Sequence, residues 1–176
     1  MNIIKDKYKA LEIILDQKPL VIYKGSSEWG PRALGHRSIL FDPRNKEAKH
    51  IVNNFKNREW WRPLAGTILL EYVNDYFYLG NLNSSPYMSF AVDAKDKAIE
   101  EVPSIVHVDN TCRIQTLKRD DNKEYYDLIK VFHNKTGVPM LLNTSFNLAG
   151  LPIVETEEML KYTTQNSSFN NVYLIS

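Results

Sequence analysis

The sequence predicts an α/β (α+β) single domain, a mixed twisted sheet flanked by helices. Two observations lead there. Short β-branched and aromatic runs are interspersed with amphipathic helical stretches, without the strict alternation of a doubly wound sheet. At 176 residues, 43% of them hydrophobic, the chain has the size of one domain able to bury a core. No internal repeat or low-complexity tract divides it, so residues 1–176 read as one unit.

Ile4, Tyr8, Leu11 and Leu15 recur at helical spacing, and Pro19 closes that helix. Leu20 to Tyr23 reads as a short buried strand. It leads into a glycine-rich turn spanning Gly25 to Leu40. Asp42-Pro43 reads as a helix start, an N-cap carboxylate followed by proline. Ala48, Ile51, Val52 and Phe55 form the apolar face of that helix. Thr67 to Leu70, Tyr87 to Val92, Ile105 to Val108 and Arg113 to Leu117 read as strands. Tyr126, Ile129 and Phe132 mark a helix over 122–135 that Gly137 ends. Val138 to Leu142 is a buried strand running into a loop from Asn143 to Gly150. Thr156, with Glu157 and Glu158 behind it, caps a helix over 156–165. Asn171 to Ile175 is a last strand.

A net charge of +1 supplies no general basic field, so nucleic acid is not an expected partner. Affinity for phosphate must come from local arrangement. The single Cys112 excludes an intrachain disulfide and makes the reducing cytoplasm the expected compartment. No apolar run approaches the roughly 18 residues of a membrane span, so no membrane partner is expected.

Four clusters could carry chemistry. Gly25 to Leu40 combines three glycines with Arg32 and Arg37, a relaxed backbone beside two fixed cations that suits an anion. One of these arginines could instead clamp Glu28 or Asp42. Lys56-Asn57-Arg58-Glu59-Trp60-Trp61-Arg62-Pro63 sets three cations beside two tryptophans. Lys56 offers a point charge and Arg62 a bidentate fork for phosphate, with Glu59 a local partner for Arg58 or Arg62. Either tryptophan could stack on a base, but buried aromatics are far more often core than cofactor platforms, so core is the favoured reading. His107, Asp109 and Arg113 fall near one strand edge, either as a base with its orienter or as a structural hydrogen bond. Asn143, Ser145 and Asn147 stand at the carboxyl end of a buried strand, where α/β folds bind ligands. The four histidines show no ligand spacing, so no metal site is expected.

Taken together, the wording and order of these motifs resemble a known family. The matching stretches are Gly25 to Leu40, Asp42-Pro43-Arg44, Lys56 to Pro63, His107 to Thr116 and Gly137 to Asn147. They resemble the C-terminal domain of the nodulation-type O-carbamoyltransferases, from about Leu11 to Ile175. The resemblance implies a YrdC-like fold that activates carbamoyl phosphate with ATP to a carbamoyl adenylate. It also implies a larger N-terminal domain of actin-like ATPase type, which would hold a metal and carbamoylate a hydroxyl. That domain is missing from this chain and is the expected partner, as a domain or a separate subunit. Any metal would belong to it or arrive as Mg-ATP. By motif, Lys56, Arg62 and Arg113 are the expected catalytic residues. Arg32, Arg37, Ser145, Asn143, Asn147 and Trp61 are expected to bind substrate and nucleotide, with Phe146 as a further lining residue. The chain departs from the family pattern at Ser26-Ser27, Leu64-Ala65-Gly66 and Ala149-Gly150-Leu151, two of which replace arginines. Those losses motivate an alternative: a non-catalytic nucleotide- or phosphate-binding or docking subunit with the same fold.

Overall fold

Each apolar run of this chain is too short to bury itself alone, and the runs solve that problem by joining one mixed sheet. The computed structural model describes residues 1–175. Its strands are β1 (Asn2–Ile4), β2 (Leu20–Lys24), β3 (Arg37–Phe41), β4 (Ala65–Leu69), β5 (Phe77–Tyr78), β6 (Ala91–Ala94), β7 (Thr111–Leu117), β8 (Met140–Ser145) and β9 (Asn171–Ile175). They lie in the order β1-β9-β2-β3-β8-β4-β7-β6-β5. The β1–β9, β9–β2 and β4–β7 pairs are parallel and the others antiparallel. The helices are α1 (Lys7–Leu15), α2 (Ala48–Phe55), α3 (Val73–Tyr76), α4 (Asp96–Glu101), α5 (Lys123–Thr136) and α6 (Glu157–Gln165).

The helix ends follow local chemistry. Asp6 accepts from the N–H groups of Tyr8 and Lys9 at the start of α1. Asn122 caps α5 through Tyr125 N–H, and Gly137 ends it at φ 80°, a left-handed value that glycine adopts freely. Thr156 caps α6 through Met159 N–H. The core sits on the central strands, where Ile39, Phe41, Ile68, Leu141 and Leu142 are fully buried, with Leu128, Ile129 and Phe132 of α5 beside them. Each such side chain contributes about 1.5–3 kcal/mol by leaving water. The mixed sheet of the sequence reading is the observed one.

Several local expectations are corrected. Ile4 lies not in a helix but in β1, a three-residue strand that exists because β9 offers it a parallel partner. The second half of the glycine-rich motif is not a turn: Arg37 to Phe41 forms the fully buried strand β3, antiparallel to β2 and β8. Asp42-Pro43 starts no helix. The Asp42 carboxylate is held by Arg44 and by the Gln17 amide at 3.0 Å, which closes a turn, and α2 begins only at Ala48. Tyr87 to Phe90 precedes the strand and is largely exposed; only Ala91–Ala94 pairs. Ile105 to Val108 is not a strand, because Ile105 turns into the space above Gly66, where a Cβ would stand 2.5 Å from its Cδ1. The following turn is closed by Asn110 N–H donating to His107 O. Strand β8 runs on to Ser145, so Asn143 is strand rather than loop.

Gly35 marks the tightest approach. It sits at φ +106°, and a Cβ there would lie 2.3 Å from Cδ1 of Tyr125. Gly35→Ala is expected to lower stability by about 2–4 kcal/mol through backbone strain and overpacking against α5. Urea denaturation with an unchanged m-value checks it.

Candidate functional site

Sheet alternation places a row of polar side chains on one face of the central strands. Ser38 on β3 stands opposite Ser145 on β8, and Thr67 on β4 beside Gln115 on β7. Asn143 donates to Thr67 Oγ1 at 2.9 Å, and Thr67 donates to Gln115 Oε1 at 2.8 Å. This network holds the motif loop. Asn143 also donates to Ala33 O and Gln115 to Leu34 O.

The loop is tied from inside by one carboxylate. Glu28 Oε1 accepts from the backbone N–H groups of Leu34, His36 and Arg37 at 2.7, 2.6 and 3.0 Å. Arg37, 1% exposed, donates to the carbonyls of Lys24, Gly25, His36 and Glu155, and its guanidinium lies 3.7 Å over the Tyr23 ring. It is a clamp, though on carbonyls rather than on Glu28 or Asp42. Arg32, by contrast, is exposed on the same loop.

The second cluster is wound around Asn53, a buried residue of α2. Its amide donates to the carbonyls of Trp60 and Arg62, both at 2.9 Å, and its Oδ1 accepts from Arg58 Nε. Asn57 at φ 54° turns the chain out of the helix. Lys56, 1% exposed, reaches across to β8, where its ammonium donates to the Ser145 carbonyl, to Ser145 Oγ at 3.2 Å and to Asn147 Oδ1 at 2.9 Å. Burial, and then the Arg58 charge, hold the Lys56 ammonium well below the ordinary lysine value. The structure thus joins Lys56, Ser145 and Asn147, residues far apart in sequence. Trp61 is exposed, with the Arg62 guanidinium 5.9 Å from its ring, while Trp60 stacks on His50. Neither tryptophan is core. Phe146 is fully buried against Phe169 and lines nothing accessible.

Cations gather beyond this point. Arg113 on β7 is held below its usual value by burial and by the neighbouring Arg32 charge. Arg58 is pushed down to about 10 by burial, by Arg62 and by Arg113. Arg62 is ion-paired to Glu59 at 2.6 Å, but Arg58 Nη2 and Arg113 Nε are buried without any partner. Unpaired buried donors among like charges are what an anion would satisfy. Sequence reasoning treated Arg58 only as a partner for Glu59 and passed over Asn53 altogether. The third cation of the Lys56 to Arg62 run was the available signal for Arg58; a mid-helix asparagine carried none. His107 and Asp109 do not bond each other. Both meet the Thr111 hydroxyl, at 3.2 and 2.8 Å, which is the structural alternative. Among the described residues no group of His, Cys, Asp or Glu is arranged to hold a metal, and no helix is long and apolar enough to cross a membrane.

Fold and site define an α/β domain with a convergent cationic cluster beside a clamped glycine-rich loop. The chain belongs to the carbamoyltransferase C-terminus family, whose model matches residues 11–175. It is 42% identical over 150 residues to nodulation protein NolNO of Sinorhizobium fredii, covering 84% of this chain and 22% of that protein. The chain spans about a quarter of the length of the curated relatives it matches. Among solved structures, full-length HypF in its phosphate- and nucleotide-bound form superposes with a TM-score of 0.71 at 14% identity, over 98% of this chain and 25% of that one. Sua5 of P. abyssi superposes with a TM-score of 0.67 at 10% identity, over 99% of this chain and 52% of that one. The YrdC-like fold implied by the motifs is therefore the observed fold.

The two motif arginines separate by stability. Arg37→Ala is expected to lower unfolding free energy by about 3–5 kcal/mol, since four carbonyls and a ring lose one partner. Arg32→Ala is expected to stay within about 0.5 kcal/mol of the parent. Parallel denaturant titrations check both.

Proposed function

We propose that this chain is the carbamoyl-adenylate-forming domain of an O-carbamoyltransferase, taking carbamoyl phosphate and ATP. The observation that carries this is the set of unpartnered buried guanidinium donors, Arg58 Nη2 and Arg113 Nε, among Lys56, Arg62 and Arg32. The reaction breaks the bond between the α and β phosphates of ATP and releases pyrophosphate. The carbamoyl group becomes joined to AMP through oxygen. Carbamoyl phosphate gives up its phosphate as the inorganic ion, with one water consumed. Charge moves onto leaving phosphate oxygens throughout, so positioned cations serve this chemistry better than an acid–base pair.

In this reading Arg58, Arg62 and Arg113 hold phosphate oxygens, with Arg32 closing from the loop and the Lys56 ammonium, its donors on Ser145 and Asn147, adding its charge from behind. Ser145 and Asn147 orient the Lys56 ammonium and contact the carbamoyl end. Arg37 and Asn143 hold the loop rather than the ligand. Trp61 lies at the edge beside Arg62. Transfer to the hydroxyl acceptor belongs to a separate domain, in keeping with the greater length of the relatives.

The second reading, a binding or docking subunit without turnover, is favoured by Ser26-Ser27 and Ala149 standing where the family pattern has arginine. Pyrophosphate release from ATP with carbamoyl phosphate separates the two. The parent should release it, and Lys56→Ala or Arg113→Ala should fall by about a hundredfold or more. Equal background rates in all three, with ATP still bound by calorimetry, establish the binding subunit instead.

The buried Lys56 adds a pH signature. Its ammonium deprotonates below the ordinary lysine range, and only the charged form attracts phosphate. Affinity for pyrophosphate should therefore fall as pH rises toward 10, and Lys56→Arg should flatten that decline. Calorimetric titrations across the pH series check it.

A further inference from the structure

A cavity of about 390 Å³ lies beside the motif loop. Its walls include Glu28, Trp29, Leu34, His36, Tyr87 and Asp121. No lysine or arginine lines it, which sets it apart from the phosphate cluster. Glu28 uses only Oε1 on the loop; its Oε2 is buried and has no partner. Asp121 commits Oδ2 to Lys118 N–H and keeps Oδ1 free. His36 bonds the Ser26 carbonyl through Nδ1, which leaves Nε2 as an acceptor in the neutral ring. The cavity thus presents acceptors and asks for a ligand that brings donors. The Glu28 charge is already met by three backbone N–H groups, so a neutral hydroxyl completes it better than a second full charge.

The mouth adds shape. Trp29 is fully exposed and Tyr87 is 68% exposed, yet both border the same cavity. The segment before Tyr87 is pinned to β7 by Ser85 N–H on Thr116 Oγ1 and Ser85 Oγ on Ile114 O, while the Trp29 side chain stands free at the mouth. Flat apolar faces beside carboxylate acceptors suit a ring with C–H faces and hydroxyl edges. We infer that this cavity binds a neutral hydroxylated ring, with a ring hydroxyl donating to Glu28 Oε2. A saccharide there stands independently of the proposed adenylation, whereas a ribose there rests on it. The cavity adjoins the cationic cluster, since Arg32 and Leu34 share the loop, and Arg113 and Gln115 stand about 7 Å apart on one face of β7. The ring could therefore be the ribose of the nucleotide or part of a separate saccharide.

Calorimetry of the intact chain with adenosine, and separately with glucose and mannose, distinguishes the sources. Tryptophan fluorescence, compared between the parent and Trp29→Phe to isolate Trp29 from Trp60 and Trp61, gives a second readout. Binding of adenosine assigns the ring to the nucleotide, and binding of a monosaccharide without adenosine assigns it to a saccharide; either supports the inference. Tyr87→Ala and Glu28→Gln should each weaken that ligand tenfold or more. Glu28→Gln keeps an oxygen for the loop N–H groups and replaces the free oxygen by a donor, and an unchanged melting temperature verifies its fold. Pyrophosphate affinity should not move in either variant, whereas Arg113→Ala should remove it, so the two readings fail separately. The inference is overturned if no hydroxylated ring binds at about 10 mM, if an amine binds where such rings do not, or if both variants bind the ring as the parent does.

Discussion

Three polar side chains on neighbouring central strands, Asn143, Thr67 and Gln115, bond one another inside the sheet. All three are nearly or fully buried. A buried donor without a partner costs on the order of 1–3 kcal/mol, so the amide and hydroxyl donors of this trio favour a fold in which their bonds are made. Two of the required acceptors are the carbonyls of Ala33 and Leu34. The network therefore cannot be satisfied unless the motif loop lies down on the sheet, and the loop cannot lift without exposing the network. Loop position and sheet interior are one constraint.

From that anchor the loop distributes its charges unequally. Glu28 and Arg37 both serve main-chain groups, the carboxylate collecting N–H donors and the guanidinium collecting carbonyls. Such pairing lets a glycine-rich segment keep one shape without regular structure. Arg32 is left free. On the opposite side Asn53 performs the same task for the turn after α2, so that Lys56 and Arg58 point inward with little freedom. The resulting crowd of cations contains one close acidic partner, Glu59, and that one is committed to Arg62. Like charges assembled this way lower stability, which is common where a protein keeps groups ready for a ligand. The cationic cluster and the cavity beside the loop then differ in kind, donors and positive charge in one, free acceptors and aromatic faces in the other.

Much was legible in the chain itself. Helices α5 and α6 were readable because their caps and stops are local: Asn122, Gly137 and Thr156 act on backbone within one turn. Strands β2, β4, β7 and β9 declared themselves by β-branched runs. The motif wording carried the family, since it spans most of the chain and each piece must keep its spacing. Short elements were not legible. Strand β1 and the 105–108 segment depend on what lies across from them, β9 for one and the bare side of Gly66 for the other.

The sequence by itself determined that cations and glycines cluster in its motifs, because that clustering is a matter of residue order alone. Only the tertiary structure decided which of them are free. Arg32 and Arg37 stand five residues apart with the same guanidinium, yet one is exposed and the other spends its donors on four carbonyls. Lys56 and Ser145 meet although 89 residues separate them, and Arg58 acquires its significance from donors left unpaired by the fold. Whether a polar atom is available depends on every neighbour within hydrogen-bond reach, and those neighbours come from distant parts of the chain.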